Sequence, residues 1–298
     1  MTDMIAVLAN PAAGRGRHRG LLPGVLDRLG AAGATVELLT AASAGEAEAA
    51  CHAAVRGGAR AVVAVGGDGT VHRALQAVAG SDVAFGIVPA GTGNDIAAAA
   101  GLPPDPLSAA SALAEALRDG RTHPLDLARV TTAHGGTRWF GGVLAAGFDA
   151  VVNERANRLR WPRGPRRYDL AIAVELARLR PRAYTLTLDG AEHRLPAVLV
   201  AVCNTASYGG GIRIGPGADP ADGLLDVVVG APMSRRTLAR LTPHVHRGTH
   251  VGDPLVTVHR AREVTVAADG IVGYADGERL AALPLTVTCV PGALRLLV

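Results

Sequence analysis

Two glycine-rich segments combine residue types that suit the binding of a phosphate and a metal ion. They are GGDGT at Gly66 to Thr70 and PAGTGND at Pro89 to Asp95. Glycine lets backbone N–H groups approach an anion closely, and a helix N-terminus that follows adds positive partial charge. The carboxylates of Asp68 and Asp95 can hold a divalent cation. Together the two segments indicate a nucleotide-binding site.

Both segments also have a purely structural interpretation. Thr70 could cap the next helix after an Asp-Gly turn, although a cap does not require three glycines. Asn94 or Asp95 could cap a helix at 96–100, while Thr92 bonds a phosphate. The capping and the phosphate-binding roles are compatible with each other.

A third segment, NPAAGRG at Asn10 to Gly16, directly follows the first predicted strand. It is not G-x-G-x-x-G, and no acidic residue stands out about twenty residues further on, so the dinucleotide fingerprint fails. Taken alone, such a segment is more often an ordinary turn. Two further glycine loops after neighbouring strands favour a phosphate contact, which Arg15 could extend.

A fourth segment, GYADGE at Gly273 to Glu278, places two carboxylates two residues apart in a β-rich stretch. A pair such as Asp276 and Glu278 can supply a general base for a hydroxyl group. D-G-E is also a common hairpin turn, and the spacing alone favours that simpler interpretation.

The first part of the chain alternates strand and helix patterns, which must position the three glycine segments. Strands are predicted at Ile5–Ala9, Thr35–Leu39, Ala61–Val65 and Phe85–Val88, and helices at Leu21–Leu29, Ala47–Val55, after Thr70, and at Leu107–Leu117. Repeated strand–helix units predict a mostly parallel sheet with helices on both faces. The expected fold is an α/β, Rossmann-like N-terminal domain at residues 1–127.

The pattern changes near Asp126 to short β-rich runs separated by Gly, Pro and Asp. The runs are Tyr184–Leu188, Ala197–Asn204, Leu224–Val229, Glu263–Val266 and Leu285–Val290, and Tyr168–Leu179 is the one clear helix candidate. This pattern predicts an antiparallel sandwich or barrel-like second domain at residues 128–298. The last few residues are candidates for a return to the first domain.

The composition excludes several classes of protein. Only 3% of the 298 residues are aromatic, which argues against a base-stacking nucleic-acid surface. All 30 basic residues are Arg and none is Lys. A Walker A loop, a protein kinase and a Schiff-base enzyme each need a Lys, so those mechanisms are excluded. Arg, metal ions or backbone N–H groups must neutralise any bound phosphate.

Other features bear on the compartment. Cys51, Cys203 and Cys289 are few and far apart, which suits a reducing cytoplasm better than a disulfide framework or a zinc site. The N-terminus has no basic region before its short apolar run, so a first strand is expected rather than a signal peptide. Because no run approaches about 18 apolar residues, we expect a cytoplasmic protein that is soluble or peripherally bound to membranes.

In their order along the chain, GGDGT, PAGTGND and ADGE resemble the diacylglycerol kinase catalytic family, which includes bacterial soluble lipid kinases and sphingosine kinases. The resemblance covers nearly the whole chain. It includes NPAAGRG, Thr40, LDLARV with Asp126, AAGFDA at 145–150, and the long segment at 203–226 that ends in ADPADGLLD. Each motif alone is weak evidence for the family, whereas the combination of motifs in this order is specific for it.

The resemblance implies an ATP-dependent lipid kinase with an N-terminal α/β nucleotide domain, a C-terminal antiparallel β-sandwich and an active site in the cleft between them. By similarity, ATP contacts Asn10, Pro11, Ala12, Ala13, Gly14, Thr40, Gly66, Gly67, Asp68, Gly69, Thr70, Val71, His72, Thr92 and Asn94. Glu278 is the implied proton acceptor, with Asp276 beside it.

The family also implies magnesium. Asp68, which is also counted among the catalytic residues, forms an acidic network around Mg-ATP with Asp95 and Asp126. A second, structural Mg²⁺ maps onto Asp219, Asp222 and Leu224. The chain departs from the family after GGDGT, where an apolar residue, Asn and Glu are usual. Here the residues are Val71, His72 and Arg73, and Arg73 replaces an acid beside the phosphate site.

A lipid acceptor requires contact with a membrane, and one segment suits it. Asn153 to Arg167 carries six Arg against one Glu. Arg can meet anionic lipid phosphates while Trp161 lies at the interface, although a solvated basic loop is equally consistent with the composition. The residues of the docking hypothesis are Arg158, Arg160, Trp161, Arg163, Arg166 and Arg167.

Several alternatives stay open at the level of sequence. The acceptor is taken as diacylglycerol, giving phosphatidic acid, with a sphingoid base, a ceramide or another lipid as alternatives. NAD kinases and phosphofructokinases share GGDG-like loops but lack PAGTGND or repeat α/β units in their second half. A non-catalytic nucleotide- or lipid-binding protein would have lost Asp68, Asp95 or Glu278, which are present. The sequence leaves the oligomeric state open, a homodimer included.

Overall fold

The computed structural model describes residues 3–9, 20–159, 161 and 166–298. The chain forms two compact units, which we call unit 1 and unit 2. Unit 1 consists of Met1–Leu127 and Val290–Val298, and unit 2 of Ala128–Cys289.

Unit 1 alternates strands and helices. Its elements are β1 (Met4–Ala9), α1 (Leu22–Gly30), β2 (Thr35–Leu39), α2 (Ala44–Arg56), β3 (Ala61–Gly66), α3 (Asp68–Val78), β4 (Ala84–Pro89), α4 (Asp95–Ala99) and α5 (Pro106–Asp119). The strands pair in parallel in the order β2-β1-β3-β4. The predicted α/β class and parallel sheet are confirmed.

Buried apolar strands hold this sheet together. Every residue of β3, AVVAVG, is buried, as expected for a central parallel strand with helices on both faces. Val7 and Val63 pack in one core cluster with Leu113 of α5. Burial of a Val or Leu side chain contributes about 1.5–3 kcal/mol. The apolar runs that predicted the strands are therefore also the main source of stability.

Helix α3 begins earlier than the sequence pattern predicted. The prediction that the helix follows Thr70 is wrong, because Gly67 is the extended N-cap and Asp68 already lies in the first turn. A carboxylate is favourable at a helix N-terminus because it faces the positive end of the helix dipole. Most of GGDGT is therefore the start of a helix, and Thr70 is not its cap.

Unit 2 is built from two antiparallel sheets and three helices within the part of the chain that the structure describes. The elements are β5 (Thr122–Thr132, which starts in unit 1), β6 (Thr137–Phe140), β7 (Val143–Ala145), α6 (Phe148–Arg158), α7 (Arg166–Ala177), β8 (Arg182–Leu188), β9 (Ala191–Ala197), β10 (Leu199–Cys203), β11 (Leu225–Gly230), α8 (Arg235–Arg247), β12 (Val256–Ala261), β13 (Glu263–Ala267), β14 (Val272–Ala275), β15 (Glu278–Ala282) and β16 (Leu285–Leu297, which ends in unit 1).

The strands of unit 2 form a sandwich. One sheet has the order β12-β11-β10-β7-β14-β15, and the other contains β16-β13-β8-β9 together with β5 and β6. Val202 and Val227 of the first sheet share a core cluster with Val264 and Val287 of the second. The predicted antiparallel β-sandwich is confirmed. At its other end β16 pairs in parallel with β4 of unit 1.

The prediction of a single helix candidate in the second half is incomplete. Helix α7 matches the predicted Tyr168–Leu179, but α6 and α8 were not recognised. Helix α6 buries only Ala150, Val152 and Ala156, and α8 buries only Leu241, so each has few apolar residues in the core. The part of the basic segment that precedes Leu159 is therefore helical rather than a loop. None of the helices in the described ranges is long and apolar enough to cross a membrane.

Candidate active site

The two glycine segments of unit 1 follow adjacent parallel strands. Strands β3 and β4 pair up to their last residues, with Gly66 opposite Pro89. Both segments therefore leave the sheet at the same edge, at the carboxyl ends of the strands. This is the place where open α/β sheets bind ligands.

The two segments pack so closely that side chains cannot fit between them. Between the segments, a Cβ atom on Gly91 would lie 2.3 Å from the Cα atom of Gly67. Within the first segment, a Cβ atom on Gly66 would lie 2.3 Å from the hydroxyl oxygen of Thr70. Contacts this short are forbidden, so glycine is required at these positions by packing. The same lack of side chains leaves the backbone accessible to a phosphate.

Asp68 and Asn94 connect the two segments by hydrogen bonds. The backbone N–H of Asn94 donates to Asp68 Oδ2 at 2.9 Å. Within its own loop, Asn94 Oδ1 accepts the N–H of Gly91 at 2.9 Å and Asn94 Nδ2 donates to the Gly91 carbonyl at 3.2 Å. Asn94 lies in the left-handed region with φ 59°. Its side chain therefore shapes the loop and does not cap α4.

The other predicted acidic residues of unit 1 are buried. Asp95 is 6% exposed and Asp126 is 5% exposed. Asp126 Oδ1 accepts the N–H of Gly292 at 2.8 Å, and Gly292 has φ 62°. Sequence reasoning missed Gly292, because it lies far along the chain in β16 and belongs to no motif. Its position in unit 1 fixes the carboxylate of Asp126.

The remaining predicted nucleotide contacts differ in accessibility. Thr40 and Thr92 are exposed, whereas the side chains of Val71 and His72 are buried within unit 1. Gln76 Nε2 donates to the carbonyl of His72 at 3.0 Å. Any contact of these two residues with a nucleotide must therefore involve the backbone. The predicted contacts at Asn10, Pro11, Ala12, Ala13 and Gly14 lie outside the described residues.

In unit 2, the ADGE segment is a tight hairpin between β14 and β15. Ala275 pairs with Glu278, and the two turn residues Asp276 and Gly277 have φ 51° and 82°. Two consecutive residues with positive φ are typical of a type I′ turn, which matches the twist of the strands. The hairpin interpretation of the sequence is correct, and the turn also presents both carboxylates.

The two carboxylates of the hairpin have different surroundings. Asp276 Oδ1 accepts the N–H of Gly142 at 2.9 Å, and Oδ2 accepts the N–H of Gly141 at 3.2 Å. A Cβ atom on Gly142 would lie 2.6 Å from Asp276 Oδ1, so the loop needs glycine there. Both oxygens of Asp276 are thus engaged by backbone, while Glu278 is half-buried on β15. Glu278 is the better candidate for a general base.

Asp149 is a further carboxylate in unit 2, in the AAGFDA segment. Its Oδ1 accepts the N–H groups of Gly147 and Ala150 at 3.3 and 2.9 Å, and Tyr208 Oη donates to Oδ2 at 3.1 Å. Burial raises the pKa of Asp149 to about 6, although these hydrogen bonds act in the opposite direction. Asp149 therefore titrates close to neutral pH.

The residues predicted to hold a structural magnesium ion lie close to an arginine. Arg260 forms an ion pair with Asp222 Oδ2, and its Nε atom lies 3.2 Å from Asp226 Oδ1. Asp222 Oδ1 accepts the N–H of Leu224 at 2.9 Å, and Asp219 Oδ1 accepts the N–H of Ala221 at 3.0 Å. The oxygen donors suit Mg²⁺, but the guanidinium already neutralises Asp222.

Across the described ranges, no group of three or more His, Cys, Asp and Glu side chains is arranged to hold a metal ion. The side chains predicted to bind magnesium, in both units, are carboxylates. A magnesium ion at Asp68 would need oxygens from the nucleotide phosphates as well, which is usual for Mg²⁺ in phosphoryl-transfer enzymes.

The basic segment of unit 2 presents one large apolar side chain to solvent. Trp161 is 79% exposed, and Leu170 and Ile172 of α7 are also exposed. Arg158 pairs with Glu154 at 2.7 Å, while the guanidinium of Arg167 lies 5.2 Å from the ring of Tyr168. Arg166 is exposed at the start of α7. Arg160 and Arg163 lie outside the described residues.

Comparison with known proteins identifies both halves of the chain. Residues 4–130 match the diacylglycerol kinase catalytic domain, and residues 142–298 match the YegS C-terminal NAD kinase beta sandwich-like domain. A Mycobacterium tuberculosis protein named diacylglycerol kinase is 44% identical over 294 residues, which is 98% of this chain and 94% of the relative. A Xanthomonas oryzae protein named probable lipid kinase YegS-like is 31% identical over 85% of this chain and 83% of its own.

Solved structures show the same fold at low sequence identity. A Bacillus anthracis diacylglycerol kinase has a TM-score of 0.73 at 20% identity, covering 99% of this chain and 96% of its own. An NAD kinase from Archaeoglobus fulgidus in complex with ATP has a TM-score of 0.58 at 17% identity, covering 99% and 93%. The two family domains and the relative that is 44% identical show that the chain belongs to the diacylglycerol kinase and YegS-like family of lipid kinases.

Proposed function

We propose that this lipid kinase transfers the γ-phosphoryl group of ATP to the free hydroxyl of diacylglycerol, which yields phosphatidic acid and ADP. The observation that carries the choice of acceptor is the relative named diacylglycerol kinase, which is 44% identical over nearly the full length of both chains. The hairpin carboxylate Glu278 and the two joined glycine segments support the reaction type.

Unit 1, which is Met1–Leu127 together with Val290–Val298, forms the ATP-binding domain in this proposal. The backbone of Gly66, Gly67 and Gly69 and the N-terminus of α3 face the triphosphate, where N–H groups and the helix dipole neutralise negative charge. The exposed hydroxyl of Thr92 adds a hydrogen bond to a phosphate oxygen. Close packing at Gly91 keeps this backbone rigid, so little reorganisation is needed during transfer.

Unit 2, Ala128–Cys289, forms the lipid-substrate domain in this proposal and supplies the base. The acceptor hydroxyl oxygen forms a bond to the γ-phosphorus, the bond to the β,γ-bridging oxygen breaks, and ADP leaves. Glu278 accepts the hydroxyl proton. A general base of this kind contributes typically about 10²–10⁴-fold to the rate.

Asp68, Asp95 and Asp126 are the residues that would hold magnesium with ATP. Their chemistry fits, because Mg²⁺ prefers oxygen ligands such as carboxylates. Since no three such side chains of the described residues form a metal cluster by themselves, phosphate oxygens of ATP would have to complete the coordination. When bound, Mg²⁺ neutralises charge on the phosphate oxygens. The chain itself contributes Asp68 through the first turn of α3, and Asn94 fixes the rotamer of Asp68 by its hydrogen bond.

A lipid panel tests this proposal directly. The purified enzyme is incubated with labelled ATP and Mg²⁺ in mixed micelles that contain diacylglycerol, a sphingoid base or a ceramide. Labelled phosphatidic acid as the main product supports the proposal, whereas preferential labelling of a sphingoid base or ceramide overturns the choice of acceptor. Glu278→Gln should lose most turnover and still bind ATP. Near wild-type turnover of that variant would refute the assignment of the base.

We also propose that the protein binds to an anionic membrane. Trp161, Leu170 and Ile172 expose apolar surface and lie within a few positions of Arg166 and Arg167 in the chain, a combination that suits an interface of lipid phosphates and acyl chains. Reversal of both charges to Glu should weaken co-sedimentation with phosphatidylglycerol vesicles. The matched control reverses Arg235 and Arg236, two adjacent exposed arginines that begin α8. Equal binding of both double variants would refute the docking surface.

A further inference from the structure

Glu154, on helix α6, makes three hydrogen bonds that no motif of the sequence predicted. Tyr274 Oη donates to Glu154 Oε2 at 2.6 Å, and Arg279 Nε donates to the same oxygen at 3.0 Å. Arg158 Nη2 donates to Oε1 at 2.7 Å. Two of these three partners, Tyr274 and Arg279, belong to the hairpin that carries Glu278.

The register of the hairpin explains why these two partners matter. Tyr274 on β14 is paired directly with Arg279 on β15, and the next pair towards the turn is Ala275 with Glu278. Directly paired residues lie on the same face of a sheet, and consecutive residues lie on opposite faces. Glu154 therefore binds both strands on one face, and Glu278 emerges on the other.

Strand β15 is the last strand of its sheet, and within the part of the chain that the structure describes it pairs with β14 alone. An edge strand lacks a second ladder of backbone hydrogen bonds, so side-chain contacts contribute more to its position. In β15, Leu280 and Ala281 pack against the core cluster, and Arg279 binds Glu154. The turn is fixed independently through Asp276, which binds Gly141 and Gly142. Glu154 is the anchor for the first pair of strand residues beyond Glu278.

We propose that Glu154 is a positioning residue of the kinase, holding β15 through Tyr274 and Arg279 so that the Glu278 carboxylate reaches the acceptor hydroxyl. This inference rests on the proposed function, because it assumes that Glu278 is the base. Glu154 touches no reacting atom. Its effect is to restrict where Glu278 can lie.

The chemistry of the contact supports a rigid anchor. The hydrogen bond from Tyr274, followed by those from Arg279 and Arg158, lowers the pKa of Glu154 to about 2, so the side chain is ionised at all physiological pH values. Hydrogen bonds to an ionised acceptor are stronger than neutral ones. Tyr274 is only 1% exposed, so removal of Glu154 would leave a buried hydroxyl with the weaker contact from Asn157 Nδ2 at 3.4 Å.

The test compares Glu154→Ala with a matched control, Glu175→Gln. Glu175 also pairs with an arginine of α6, Arg155, but it lies on α7 and the contact does not involve the hairpin. For Glu154→Ala we expect kcat to fall about 10- to 100-fold, with the KM for ATP changed less than about 3-fold, because a small displacement of a catalytic group affects mainly the chemical step. Glu175→Gln should keep both constants.

A double variant distinguishes failure of this inference from failure of the proposed base. If Glu154 acts through Glu278, adding Glu154→Ala to Glu278→Gln should lower kcat by less than about 3-fold, since the two losses are not additive. A full multiplicative loss in the double variant would overturn the positioning role while leaving Glu278 as the base. Wild-type turnover of Glu278→Gln alone would instead overturn both assignments.

Tyr274→Phe covers the case in which Glu154→Ala does not fold. It removes one hydroxyl and leaves the ring in the core, so the fold should survive. We expect kcat to fall about 3- to 10-fold, again without a matching change in the KM for ATP. Unchanged kcat in this variant would overturn the positioning role of the Tyr274–Glu154 contact.

Discussion

The backbone N–H of Asn94 donates to the carboxylate of Asp68 at 2.9 Å, and this bond joins the two glycine segments that follow neighbouring strands. The residues are 26 positions apart in the chain. Because Asn94 also binds Gly91 through its side chain, one residue sets both the shape of its own loop and the rotamer of Asp68. Substitutions of Asp68 and Asn94 should therefore distinguish the effect of the Asp68 charge on turnover from the effect of loop structure on stability.

Asp68→Asn should preserve the loops and remove the charge. The Asn side-chain oxygen can still accept the N–H of Asn94, so we expect the free energy of unfolding to change by less than about 1 kcal/mol. Turnover should fall about 100-fold, because the substitution removes the carboxylate that we propose to act at the ATP phosphates. Thermal unfolding and a kinase assay measure the two effects. A stable variant with wild-type turnover would contradict the proposed role of Asp68.

Asn94→Ala, unlike Asp68→Asn, should lower the stability of the protein. Loss of the amide leaves the N–H and the carbonyl of Gly91 without these partners, which costs about 1–3 kcal/mol for partly buried groups. We therefore expect a lower melting temperature together with weaker ATP binding, measured by calorimetry. Weaker binding with an unchanged melting temperature would show instead that Asn94 contacts the nucleotide and does not shape the loop.

Gly91→Ala tests the close packing of the two segments. The added Cβ atom would lie 2.3 Å from the Cα of Gly67, and since that backbone atom cannot rotate away like a flexible side chain, one of the two segments must move. Overpacking typically costs about 1–3 kcal/mol, and we expect ATP binding to be lost with it. Gly30→Ala is the matched control, because nothing lies within 4 Å of its Cβ position at the end of α1. Equal behaviour of the two variants would contradict the packing argument.

Asp149→Asn should change how stability depends on pH. The carboxyl titrates near its ordinary value of about 3.8 when unfolded and at about 6 when folded. Between these values the folded state binds more protons, so the stability of the wild type falls as the pH rises through this window. The Asp149→Asn variant has no carboxyl group to titrate here, so this site causes no such fall in its stability. Its advantage in free energy of unfolding should grow between about pH 4 and pH 6 and then stay level.

Urea unfolding at closely spaced pH values measures this difference. Asn can still accept the N–H groups of Gly147 and Ala150 through its oxygen, so the local structure should persist. A difference between Asp149→Asn and the wild type that is constant from pH 4 to pH 8 would show that the carboxyl is not raised in pKa by burial.

The sequence predicted features whose causes are local in the chain. The apolar runs before Gly66 and Pro89 predicted β3 and β4, and the glycines predicted the loops that follow these strands. Long-range partners could not be predicted. Asp276 binds Gly142 across 134 positions, and Glu154 binds Tyr274 across 120. A single sequence has no periodicity that reports such pairs, because only the fold brings them together.

Helices with few buried apolar residues were missed for a related reason. Helix α8 is rich in Arg and His and contains Pro243, which usually argues against a helix interior. Its ends are nevertheless well defined, since Ser234 accepts the N–H of Thr237 and Gly248 follows the last turn with φ 73°. Two signals were available at α8, namely the capping residues and the helical spacing of Leu238, Leu241 and Val245.

Arg260→Gln tests whether an arginine or a metal ion neutralises the predicted structural magnesium site. The substitution leaves Asp222 and the buried Asp226 without their cation, and we expect a loss of about 1–3 kcal/mol in the free energy of unfolding. Millimolar Mg²⁺ should restore part of the melting temperature of the variant and affect the wild type less. An equal response to Mg²⁺ and to EDTA in both proteins would show that Arg260 does not compete with a metal ion.

Asp276→Asn and Glu278→Gln should separate the structural carboxylate of the hairpin from the one that we propose as the base. Asp276 accepts two backbone N–H groups with two oxygens, and Asn has only one oxygen, so one of these bonds must be lost. We expect Asp276→Asn to lower the free energy of unfolding by about 1–3 kcal/mol. Glu278→Gln should leave stability within about 0.5 kcal/mol, as is usual for partly exposed sites, and lose turnover. Thermal unfolding and single-turnover kinetics of both variants give the comparison.

If Asp276→Asn is as stable as the wild type but inactive, Asp276 takes part in the chemistry, and the division of roles between the two carboxylates is wrong.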